Sequence, residues 1–125
     1  MNRIVYSELQ SEQPKATAKF VGKMFGWTIE KWPDPKMEYY MWKYADEKKV
    51  SGAIGGEAEQ PIPGINVAFY IEVENIASAL DRATSLGATR LQGETAIGRD
   101  MGYFAIIKEP GGCSIGFWCQ TASKK

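Results

Sequence analysis

The chain states one pattern twice, and that repetition limits its fold more than any other feature. Met24-Phe25-Gly26-Trp27-Thr28 is matched 61 positions later by Ser85-Leu86-Gly87-Ala88-Thr89. The same offset lays Ser51-Gly52-Ala53-Ile54-Gly55 on Gly112-Cys113-Ser114-Ile115-Gly116. A recurring pattern is a recurring supersecondary unit.

The hydrophobic periodicity gives that unit its elements. Ile4 to Gln10 reads as a strand, with Tyr6, Glu8 and Gln10 on one face and Val5, Ser7 and Leu9 on the other. Pro14 suits the first turn of a helix in which Ala16, Phe20, Val21 and Met24 recur at helical spacing, and Gly26 is the C-cap. Trp27 to Trp32, Met37 to Tyr44 and Val50 to Gly55 read as strands. The segment 57–64, with two prolines and a glycine, reads as a linker. The order then returns. Asn66 to Val73 is a strand, and Asn75 caps a helix to Leu86 with Ile76, Ala79, Leu80 and Ala83 on one face. Gly87 stops it. Thr89 to Gln92, Gly102 to Ile107 and Cys113 to Gln120 are strands, Glu109-Pro110-Gly111-Gly112 is a tight turn, and Thr121 to Lys125 is a polar tail.

Each half is therefore strand, helix, three strands, which makes the fold α+β with two tandem βαβββ modules. A half of about 55 residues buries too little surface to be secure alone, so the halves are expected to pack together. The expectation is a single domain over residues 1–125, with module 1 at 1–57, a linker at 58–64 and module 2 at 65–120. Its sheet would be curved, or a partial barrel, around a cleft with the helices outside.

Charge and cysteine content narrow the function classes. Lys plus Arg equal Asp plus Glu at 15 each, which argues against a nucleic-acid or anionic-membrane binder. No stretch is long and apolar enough to span a membrane, and the first residues lack a signal-peptide run. Cys113 and Cys119 on one extended strand would lie roughly 20 Å apart, beyond disulfide reach. They read as two reduced, partly buried thiols of a cytoplasmic protein.

The ordered motifs resemble the glyoxalase / bleomycin-resistance / extradiol-dioxygenase superfamily, the vicinal oxygen chelate proteins. The marks are Glu8-Leu9, Pro14 to Phe20, Phe25-Gly26-Trp27 and Gly52-Ala53-Ile54-Gly55-Gly56. Val73-Glu74-Asn75-Ile76, Leu86-Gly87-Ala88, and Gly102-Tyr103-Phe104-Ala105 through Glu109-Pro110-Gly111-Gly112 follow in the second half. The resemblance implies two βαβββ modules around a ligand cleft, and a homodimer.

It also implies a divalent metal held by His, Glu or Gln on the first and last strands of each module. Those positions fall at Tyr6, Gly55, Ala68 and Gly116, and the chain has no histidine at all. Glycine and alanine offer no ligand atom, and a neutral phenol is a poor one, whereas such a site needs three or four converging ligands. No metal and no cofactor are therefore expected, nor is metal-dependent glyoxalase or dioxygenase activity.

Glu8 shares a strand face with Tyr6, and Glu72 shares one with Ala68 and Tyr70. If the vacated positions face a cleft, so do these carboxylates. In an apolar cleft a carboxylate has a raised pKa and can serve as a general base or hold a cationic ligand; on a solvated strand end it does neither. Trp42 and Tyr103 are repeat equivalents, and with Trp118 they offer aromatic walls for a flat organic ligand, although strand aromatics more often fill cores. Gly93 and Gly98 bracket a candidate lid, and Arg99-Asp100 reads as a surface turn.

The expected ligand contacts are thus Tyr6, Glu8, Trp42, Ala68, Tyr70, Glu72, Tyr103 and Trp118. The leading expectation is metal-free binding that sequesters or senses an aromatic or cationic organic compound. The alternative is a metal-independent lyase, isomerase or epimerase with Glu8 or Glu72 as base and Tyr103 as acid. A regulatory subunit with a filled cleft is a third.

Overall fold

The computed structural model describes residues 1–124; Lys125, the end of the polar tail, lies outside the described residues. Eight strands and two α-helices follow in the order β1 (Ile4–Gln10), α1 (Pro14–Phe25), β2 (Thr28–Lys31), β3 (Tyr39–Lys43), β4 (Val50–Gly55), β5 (Phe69–Glu72), α2 (Ile76–Ser85), β6 (Thr89–Ala96), β7 (Tyr103–Lys108) and β8 (Ser114–Cys119). Strand, helix and three strands recur, so the fold is α+β as the repeat requires. The chain forms two compact units: Tyr6–Ala68, and Met1–Val5 together with the chain from Phe69 onward. The segment 57–64 belongs to the first unit. There Glu57–Glu59 coils into a 3-10 turn, and the buried Gln60 accepts the Val67 N–H on its Oε1.

In the first unit the strands lie in the order β2-β3-β4-β1, antiparallel except for β1, which runs parallel to β4. Helix α1 ends at Gly26, whose φ of 73° is the left-handed cap conformation, and the Gly26 N–H bonds to the Gly22 carbonyl. Its buried face is Ala18 and Val21, packed on Tyr40, Trp42 and Ile54 with Trp27 and Ile29 beside them. The expected stripe is corrected here: Val21 is buried, but Phe20 and Met24 are exposed. The sheet supplies the bulk, so the helix approaches with its small side, and a methyl at Gly22 would stand only 3.3 Å from Ile29.

In the second unit the order is β5-β8-β7-β6, with β5 parallel to β8. Asn2 and Arg3 pair along β5: the Asn2 N–H bonds to the Glu72 carbonyl, and the Glu72 N–H to that of Arg3. Ile76, Leu80 and Ala83 of α2 bury against Val73, Ala105, Ile107 and Cys119. Asn75 caps α2 by accepting the Ser78 N–H at 2.8 Å. Asn75→Ala is expected to lower stability by about 1 kcal/mol, read as a lower urea midpoint at unchanged slope.

Two local expectations change. The segment from Gly93 to Gly98 is not a lid. β6 runs on to Ala96, with a register shift between Gln92 and Thr95 after which Thr95 and Ala96 pair with Phe104 and Tyr103 of β7, and the hairpin closes with Met101 N–H to Gly98 and Ile97 N–H to Gly102. Backbone groups satisfied by a hairpin ladder have no reason to swing open. The cysteines are free, but only Cys119 is buried, whereas Cys113 is exposed. Among the described residues no helix is long and apolar enough to cross a membrane.

Candidate binding site

The pleat decides which residues meet. Paired strand residues share a face and successive residues alternate. In the first unit Tyr40 pairs with Ile54 and Trp42 with Gly52, and these face α1. Tyr39 pairs with Gly55 and Met41 with Ala53, so they face the other way. Glu8 pairs with Ala53, and Tyr6 and Gln10 share its face by period two. This second face therefore combines Tyr6 and Glu8 of β1 with Tyr39 and Met41 of β3, across a β4 that offers only Ala53 and Gly55.

The small residues of β4 create the site. A methyl group at Gly55 would lie 2.9 Å from Tyr39 Cδ1, so the Tyr39 ring lies directly over that glycine. Its hydroxyl thereby spans β4 and reaches β1. Tyr39 Oη donates to Glu8 Oε2 at 2.6 Å, and Tyr6 Oη lies 2.7 Å from Tyr39 Oη. Tyr39 has one hydroxyl proton and gives it to Glu8, so Tyr6 donates to Tyr39. The Trp32 ring meets the Tyr39 ring edge-on, with centroids 6.3 Å apart at 89°.

Burial sets the electrostatics. It pushes the Glu8 carboxyl up to about 7, against the opposing pull of the Tyr39 hydrogen bond. Burial also raises the Tyr39 and Tyr6 phenols above their ordinary value, and the Glu8 charge adds to both. Neither phenol ionises near neutrality. The result is a carboxyl poised between its two protonation states, joined to two neutral hydroxyls and flanked by aromatic and thioether surface. It can accept an ammonium group, or take up and release a proton.

In the second unit Tyr70, Glu72, Phe104, Ile106 and Trp118 share the face turned away from α2. The Tyr70 ring packs directly on Gly116 and meets Phe104 edge-on at 6.1 Å and 83°. Trp118 Nε1 donates to the Met101 carbonyl at 2.8 Å.

The expected contacts therefore divide. Tyr6 and Glu8 are brought together, and Tyr70, Glu72 and Trp118 share one face of their own unit. Trp42 and Tyr103 stand apart from both groups, because each packs on the helix side of its sheet. Ala68 is exposed, and its carbonyl accepts the Glu8 N–H. Tyr39 is a site residue that the sequence does not single out. The only signal for it is strand parity: if Trp42 fills the space over Gly52, Tyr39 must face the other way.

The donor set does not fit a divalent metal. Of the four family ligand positions only Tyr6 carries a donor, a phenol held neutral by burial, and Gly55 and Gly116 lie beneath tyrosine rings. Among the described residues no three His, Cys, Asp or Glu side chains cluster.

Comparison with known proteins agrees with this architecture. Residues 3–117 match the family model described as the Glyoxalase/Bleomycin resistance protein/Dioxygenase superfamily, and the chain belongs to that superfamily. Among proteins of curated function, none matches the sequence. Similar solved structures include a variant of Streptomyces coelicolor methylmalonyl-CoA epimerase in complex with 2-nitronate-propionyl-CoA. Its TM-score is 0.72 at 13% identity, covering 98% of this chain and 99% of that one. A superfamily member from Vibrio splendidus 12B01 gives 0.63 and 14%, covering 95% and 99%. The Mn(II)-bound glyoxalase of Novosphingobium aromaticivorans gives 0.72 and 15%, covering 94% of this chain and 38% of that one. At these identities the likeness is one of fold.

Proposed function

We propose that this protein binds an amine-bearing aromatic small molecule without a metal, using Glu8 as the anionic contact and Tyr6, Tyr39 and Trp32 as its surroundings. The observation that carries this reading is the half-buried Glu8 carboxyl, which no cation among the described residues neutralises and which accepts the Tyr39 hydroxyl at 2.6 Å. A ligand ammonium would supply the missing charge, and the aromatic edges suit a flat ring. Sequestration or sensing of that ligand by a cytoplasmic homodimer is the wider setting of the proposal, and ligand capture by Glu8 is its content.

Calorimetric titration with benzylamine, tryptamine and benzyl alcohol tests it. The two amines are expected to bind about tenfold more weakly at pH 6 than at pH 8, because Glu8 must first give up its proton. Glu8→Gln is expected to abolish that difference and benzyl alcohol to lack it. Amines that bind no better than the alcohol, or equally well to the variant, would sink the reading.

The poised carboxyl also favours a second reading, a metal-independent isomerase or epimerase with Glu8 as base. Tyr103 packs on the helix side of its own unit, and Tyr39, hydrogen-bonded to Glu8, is the acid of this reading. The Glu72 face of the second unit shows no comparable hydrogen-bonded carboxyl, which makes Glu8 the better base.

A further inference from the structure

We propose that Lys31 is a positioning residue. Its ammonium gathers the carbonyls of Trp32, Asp34 and Met37, fixes the β2–β3 loop, and so holds Trp32 edge-on to Tyr39 as the wall that selects an aromatic ligand. The ligand class rests on the binding reading above, whereas the cradle follows from the geometry of the loop.

Pro33 and Pro35 take two N–H donors out of the loop of residues 32–38, and each pushes the residue before it toward extended backbone. The second half of the loop is shaped by Asp34: the Met37 N–H bonds to its carbonyl at 3.1 Å, and the Lys36 N–H to its Oδ1 at 2.9 Å. The carbonyls of Trp32, Asp34 and Met37 converge on Lys31 Nζ at 3.4, 3.3 and 3.0 Å. An ammonium has three N–H donors, and three carbonyls take them. They belong to the start, middle and end of the loop, so one point charge ties its whole length. A guanidinium would not serve as well, because its planar fork suits parallel acceptors rather than converging ones.

The cradle bears on the site through Trp32. Lys31 pairs with Tyr40, so the next residue falls on the Tyr39 face. The Trp32 N–H bonds to the Tyr39 carbonyl at 2.8 Å, and the Trp32 carbonyl accepts from Lys31. Holding both sides of that residue fixes where its ring leaves the backbone. The ring meets Tyr39 edge-on at 6.3 Å and 89°, and Tyr39 in turn donates to Glu8. Lys31 thus acts on the site from the far side of the loop, and itself touches none of the ligand contacts but Trp32.

The first arm of the test uses the ligand-free protein, so it can fail independently of the binding reading. NMR contacts between the ring protons of Trp32 and Tyr39 are expected in the native protein and are expected to vanish in Lys31→Met and in Lys31→Arg, with the urea midpoint unchanged. Ring contacts that survive in Lys31→Met overturn the cradle. Contacts that survive in Lys31→Arg overturn its assignment to an ammonium on three carbonyls. The second arm is calorimetry with benzylamine and propylamine. Lys31→Met is expected to weaken benzylamine about tenfold and propylamine less than about twofold, because only the aromatic ligand uses the wall. Trp32→Ala should give the same loss, and the double variant no more than either single change. Equal losses for the two amines, or losses that add in the double variant, overturn the action of Lys31 through Trp32. A native protein that binds neither amine overturns the binding reading instead, and the ring contacts still decide the cradle.

Discussion

Glu8→Gln is expected to make the protein more stable at pH 8, by about 3 kcal/mol, while leaving it nearly unchanged at pH 4. The sign follows from where the proton sits. Burial raises the Glu8 carboxyl from 4.5 to about 7 in the folded chain. Between those values the folded state holds a proton that the unfolded state has released. Stability from this group is therefore fully present below about pH 4.5, falls as pH rises toward 7, and is level above it. Glutamine keeps an oxygen for the Tyr39 hydroxyl but has no charge to desolvate, so the variant should lose that slope. Urea denaturation at pH 4, 6 and 8 measures it. Parallel curves for the two proteins at all three values would show that Glu8 is not the buried carboxyl described here.

Gly52→Ala is expected to lower stability by about 3 kcal/mol. The new methyl would overlap the Trp42 ring on the helix side of β4 and also the Ser7 carbonyl of β1. The ring could turn aside only by disturbing its stack on Trp27, whose centroid is 4.7 Å away. The carbonyl is backbone at the position where β1 pairs with β4, so it cannot retreat without breaking the pairing of Ser7 with Gly52. Gly93→Ala is the control: a methyl there meets nothing within 4 Å. Its effect should stay within about 0.5 kcal/mol. Equal urea midpoints for the two variants would refute the packing described for Trp42.

The same glycine shows how far a sequence can be read. The repeat places Ser51-Gly52-Ala53-Ile54-Gly55 and its copy near the ends of the two modules; the first lies within β4, and the copy passes from a turn at Gly112 and Cys113 into β8 at Ser114. The helix caps are legible for a local reason. Asn75 and Gly26 act through their own backbone neighbours, and no distant residue has to be known. The α1 stripe is not legible, because the apolar side that buries is chosen by the sheet opposite. Phe20 and Met24 lose to Ala18 and Val21 since Trp42, Tyr40 and Trp27 already fill the interface.

The site divides along the same line. Tyr6 and Glu8 lie two apart on one strand, so their shared face can be read from period two alone. Trp42 and Tyr103 are repeat equivalents and both belong to the helix layer, because a repeat preserves parity without revealing which parity faces out. Tyr39 lies 31 residues from Glu8 in sequence, and nothing local joins them.

What the sequence determined by itself was the doubled βαβββ order, the helix ends and the loss of ligand atoms at Tyr6, Gly55, Ala68 and Gly116. These depend on local pattern and on residue chemistry. Only the tertiary structure decided what stands in their place. Strand register sets Tyr39 across Gly55 from Glu8, and burial then brings that carboxyl to the edge of ionisation. Both are long-range effects, fixed by packing between strands that the sequence keeps far apart.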